Sequence, residues 1–176
     1  SLVAMLVCQT IALAAEPTDA PAKLAASVGA LLQHSPGSNP AWKAVKAGSQ
    51  LPAETLFIAV PEADVDSANG AVRLRMIADL ARRLPEPVYE SAVVLHNQAE
   101  KDIDLDFTLD RGLITLVNQK SKGPSSVRVR AAGHVWDILL EQPDTRVALA
   151  LIGRHAAGLR PYIQDPSKPF KPDDQP

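Results

Sequence analysis

The chain has 176 residues, with 18 Lys and Arg against 20 Asp and Glu and a net charge of −2. That near-balance argues against a dedicated nucleic-acid binder, which usually carries a large basic excess. The length suits one domain with a tail, and the hydrophobic content of 46% suffices for a core, but aromatics are only 4%, so Val, Leu, Ile and Ala must fill it.

Residues 1–15, SLVAMLVCQTIALAA, carry no charge and give way abruptly to EPTDAPAK. An apolar run ending in Ala12-Leu13-Ala14 reads as a signal peptide over 1–14 with an A-x-A cleavage site, which predicts a periplasmic or secreted protein. The alternative is the end of a membrane anchor, although a spanning helix needs about 20 apolar residues. The single cysteine, Cys8, follows Val7 rather than the small residue that a lipoprotein signal requires. Removal of the segment leaves no cysteine for a disulfide or a thiolate metal site.

Residues 15–40 read as a leader. A Pro/Ala-rich stretch is followed by a short helix over Lys23–His34, where Leu24, Val28, Leu31 and Leu32 stand near helical spacing, and then by the loop SPGSNP. A β domain is expected over 41–160. TLFIAV (55–60) is a strand that should stop at Pro61, and DSANG (66–70) is a turn with Gly70 suited to positive φ. Residues 71–79 alternate Val72, Leu74 and Met76 with Arg73 and Arg75, as a half-buried strand does. VYESAVVLH (88–96) is the next strand.

KDIDLDFTLD (101–110) places Ile103, Leu105, Phe107 and Leu109 on one face and Asp102, Asp104, Asp106, Thr108 and Asp110 on the other. This is period two, the pattern of a strand with one buried face. A calcium loop starting at Asp102 would want Gly sixth and Glu twelfth, where Phe107 and Leu113 stand. The stretch 86–110 has seven acids and one base, whereas VRVR (127–130) sets Arg128 and Arg130 on a common face. Asp102, Asp104 and Asp106 are therefore expected beside Arg128 and Arg130 on a neighbouring strand, as a charge ladder or an interaction surface. Opposite-charge cross-strand pairs contribute roughly 0.2–1 kcal/mol each.

GLITLV (112–117) is a further strand. In AAGHVWDILL a turn at Gly133 precedes Trp136, Ile138 and Leu140, all expected to point into the core. RVALALIG (146–153) is almost wholly apolar and reads as a strand buried on both faces. Residues 161–176 carry five prolines and read as an extended tail or linker. The predicted class is all-β: an antiparallel, roll-like sheet or a sandwich of short strands.

No G-x-S-x-G, H-E-x-x-H, C-x-x-C, Walker A or G-x-G-x-x-G motif is present, and His34, His96, His134 and His155 are scattered. The expectation is a non-enzymatic protein without catalytic, metal-binding or cofactor-binding residues. Asp104 and Asp106 would stand about 7 Å apart along a strand, but any i,i+2 pair does so, and it argues little for a glycosidase.

WKAVKAGSQLPAETLFIAVPEADVDSANGAVRL resembles the FecR-like domain in its G-x-x-L element, apolar strand, asparagine-glycine turn and V-x-L strand. LDRGLITL and the stretch from VRVR to residue 155 are similar to later strands of that pattern. The resemblance implies an extracytoplasmic all-β roll that receives signals by binding another envelope protein, as founding members do between an outer-membrane receptor and a sigma factor. It implies no catalytic residues. The rival reading is a secreted glycan-binding or carboxylate-based hydrolytic domain, which exposed aromatics beside the acidic face would favour.

Overall fold

The computed structural model describes residues 20–35, 41–79, 88–97 and 100–152. The segments 1–14 and 161–176, expected as signal peptide or anchor and as tail, lie outside them. The described residues form β-strands and no helix: β1 (Ala22–Ser35), β2 (Ala41–Val45), β3 (Gln50–Leu51), β4 (Leu56–Ser67), β5 (Val72–Ile77), β6 (Ser91–Leu95), β7 (Leu105–Asn118), β8 (Ser125–Ala131), β9 (His134–Leu140) and β10 (Arg146–Leu151). All pair antiparallel except β7 with β8.

Long strands organise the sheet. The first part of β4 pairs with β6 and its later part with β5, while β1 runs along its other side. The first part of β7 lies between β6 and β8, and its second part between β5 and β10. Two strand sets therefore share β1, β4 and β7. One runs β3-β1-β4-β5-β7-β10 and the other β2-β1-β4-β6-β7-β8-β9. Their apolar faces meet in one core. Leu24, Val65, Leu74 and Ile114 come from the first set, and Leu31, Phe57, Val93, Phe107 and Val129 from the second. Each such side chain stabilises by roughly 1.5–3 kcal/mol when fully buried.

Glycines occupy the places where long strands change partners. Gly29 has φ 92° and pairs with Pro61, which follows a cis peptide bond in β4. Gly112 has φ 104°, and a Cβ there would collide with Ser91 and the Glu90 carbonyl. Ser91 is fully buried. Its Oγ donates to the Ile77 carbonyl (2.6 Å), lies 2.8 Å from the Leu113 carbonyl, and accepts from the Leu113 N–H at 2.9 Å. One hydroxyl thus joins β5, β6 and β7.

Several expectations need correction. Residues 23–34 are strand, not helix. A bulge between Leu24 and Ala26 and the turn of the backbone at Gly29 interrupt the alternation, so the apolar residues fall by accident near helical spacing. Ala22, Leu24 and Leu31 lie in the core, so β1 packs with the strands that follow residue 41. β4 does not stop at Pro61. The missing N–H is tolerated where the strand changes partners. The stretches 102–110 and 112–117 join as one strand from Leu105. β10 is not buried on both faces: Val147, Leu149 and Leu151 are half-buried against the core, while Arg146, Ala148 and Ala150 face solvent with no layer over them. Trp136 is 46% exposed rather than in the core, since β9 is an outermost strand.

Candidate interaction surface

The ladder expected from the aspartates and arginines lies on the outward face of β7 and β8. These strands run parallel, with Asp106 beside Arg128 and Thr108 beside Arg130. Arg130 reaches back along the strand, and its Nε and Nη2 donate to the two Asp106 oxygens at 3.0 and 2.8 Å. Asp106 is only 3% exposed, and this two-pronged contact is the geometry that makes a buried carboxylate tolerable. Hydrogen bonding to Asp106 holds the Arg130 guanidinium above its ordinary pKa.

Arg128 turns the other way. Its Nε and Nη2 donate to Asp137 on β9 at 2.7 and 2.9 Å, and its Nη1 donates to Glu100 at 2.7 Å. Those bonds push Arg128 up and hold both acids below their usual values. Asp104, also buried, accepts from Asn69 Nδ2 (2.8 Å), Lys120 Nζ (2.8 Å) and the Ser126 N–H (2.9 Å). Burial alone would raise its pKa; Lys120, Ser126 and Asn69 together overcome that and keep it low. Asp102 stands apart, exposed in the turn before β7.

The sequence pointed to Asp104, Asp106, Arg128 and Arg130 but not to their partners Asn69, Lys120, Glu100 and Asp137. Only Asp137 left a signal, as the one acid inside the apolar run VWDILL. His96 was passed over as a scattered histidine. Its Nδ1 lies 2.7 Å from Glu54 Oε1 and its Nε2 2.7 Å from Thr108 Oγ1, which clips the turn before β4 to β6 and β7. Among the described residues, no group of three or more His, Cys, Asp or Glu is placed to hold a metal ion. On the other strand set, Arg73, Arg75 and Arg146 border a shallow groove of about 310 Å³ floored by Thr115 and Val117. Arg73 and Arg75 are already held by Asp66 and Asp64.

With the charges of the ladder compensated, β9 stands out as the strand that gathers three of the seven exposed large hydrophobics among the described residues. This strand pairs only with β8 and exposes Val135 (55%), Trp136 (46%) and Leu139 (56%). A two-residue turn, Ala132-Gly133, leads into it with φ of 48° and 78°, the paired positive values of a tight hairpin. His134 stacks on Trp136 with ring centroids 6.0 Å apart. The second exposed tryptophan, Trp42, lies on β2 at the other end of the strand order, against His34. Comparison of the chain with protein-family models, with curated proteins and with solved structures finds no match.

Proposed function

We propose that this chain is a non-enzymatic, extracytoplasmic protein-interaction or signal-reception module, and that it docks its partner, another envelope protein, on the β9 side of the sheet. The observation that carries this reading is the contrast on one face. The acids and arginines satisfy one another, while Val135 and Leu139 on the same face of the adjoining outermost strand face solvent, and Trp136 is exposed on that strand's other face. Exposed apolar groups rimmed by polar ones mark interaction sites. The extracytoplasmic location rests on the apolar segment ending in Ala12-Leu13-Ala14.

A FecR-type role rests on the residues that carry the resemblance. Gly48 lies in a turn at φ 82°, Leu51 and Leu74 are fully buried, and Asn69-Gly70 turns β4 into β5. These are the positions such a pattern requires, and they support the reading at the level of turns and strands.

The test is crosslinked capture from cell envelopes with the full chain as bait. The expected result is one protein partner that is lost when Val135 and Leu139 are both changed to Ser. A glycan-binding module is the second reading, favoured by the exposure of Trp136 and its stack with His134. Retention on cell-wall polysaccharide, lost with Trp136→Ala and with no protein captured, would replace the first reading by the second.

A further inference from the structure

Besides the two-residue β3, three outermost strands among the described residues offer unpaired backbone, and they differ in protection. β2 (AWKAV) carries Lys43, with Lys46 just beyond it, and a lysine on an outer strand discourages further pairing. β10 begins with Arg146, and its solvent face otherwise offers only Ala148 and Ala150. β9 has seven residues with no Lys, Arg, Pro or Gly, and it alone exposes large apolar side chains on both faces, Val135 and Leu139 on one and Trp136 on the other. Such a strand is a ready template for one more strand.

The charges indicate what would pair with it. From Ala131 to Thr145 the chain carries Asp137, Glu141 and Asp144 and no Lys or Arg. Asp137 is the central residue of β9, and the Arg128 that holds it is shared with Glu100, which leaves two acids to one cation; a full-length antiparallel pairing of two copies would set the two Asp137 side chains, each in such a net-negative cluster, directly opposite each other. Like charges opposite one another destabilise a ladder. The arrangement therefore disfavours a second copy and favours a strand with a cation at its centre.

We infer that β9 receives, by strand addition, an extended segment of another protein that alternates apolar residues and places Lys or Arg against Asp137. This rests on the docking reading above and gives it a partner chemistry. Main-chain hydrogen bonds supply the binding, Val135 and Leu139 supply apolar contact, and Asp137 sets register and selectivity.

The probe is a short synthetic peptide of alternating valine and threonine with one arginine at its centre, followed by fluorescence anisotropy against the full chain. Expected are one-to-one binding, a loss of about tenfold or more for the glutamate-centred peptide, and a reversal of that order with Asp137→Lys. Methylation of alternate peptide nitrogens on the pairing side should cost at least about tenfold, an arm that needs no protein variant. Equal binding of the methylated peptide, indifference to the central charge, or no binding at all would overturn the inference. So would sedimentation showing a dimer that Val135→Lys dissolves, since the second copy would then be the occupant. If the peptides fail but the Val135→Ser, Leu139→Ser chain still loses its captured partner, docking at β9 stands and strand addition falls.

Discussion

Asp104 and Gly112 show how much a single residue can fix here. The Asp104 carboxylate accepts from three donors that come from the β4–β5 turn, the loop after β7 and the start of β8. Its pKa is lower in the folded chain than in the unfolded one. The stabilisation it provides is therefore complete above the unfolded value of about 3.9 and is lost as pH falls through the folded value below that. Thermal melts should show the midpoint falling steeply below about pH 4, and Asp104→Asn should flatten that fall while costing about 2 kcal/mol at pH 7. Gly112 is fixed by space and backbone together. Gly112→Ala must carry a Cβ at φ 104° against Ser91 and the Glu90 carbonyl, for an expected loss of about 2–4 kcal/mol, read as a lower denaturation midpoint in urea. Neither role was readable from the chain alone. Gly112 looked like the start of a strand, and the partners of Asp104 come from remote stretches.

The elements were legible where alternation is strict and illegible where the backbone breaks it. Val72, Leu74 and Met76 keep period two, and β5 lies where they put it. The same holds for Leu105, Phe107 and Leu109 in β7 and for Val127 and Val129 in β8. β1 misled because its bulge and Gly29 slip the pattern, and β9 misled because alternation gives a face but not whether another layer covers it. Asn118 was invisible for a related reason. Its Nδ2 donates toward the carbonyls of Gly123, Leu140 and Gln142, each at 3.0 Å, and its Oδ1 accepts from the Lys120 N–H. It thus holds the loop leaving β7 to the end of the β8–β9 hairpin. Asn118→Ala should cost about 3 kcal/mol and raise amide exchange first in β9, while β1 and β4 keep their protection.

At the scale of the molecule, the shared strands β1, β4 and β7 leave no half of the core that could form alone. Unfolding should be one transition, with the calorimetric and van't Hoff enthalpies equal within error. Two well-separated transitions would show that the strand sets are independent. The ladder adds a salt dependence only at its rim. Glu100 and Asp137 are well exposed whereas Asp106 is not, so raising the salt should leave the Asp106–Arg130 pair intact.

The order in which partners meet sets a clock. Ala22 lies beside Ser67, Leu105 beside Val127 and Val117 beside Arg146, so the main pairings close long stretches of chain before any contact rewards them. Chains wired this way fold in milliseconds to seconds rather than microseconds. During that delay the apolar strands of a new chain lie unpaired, so the yield of refolded protein should fall as its concentration rises.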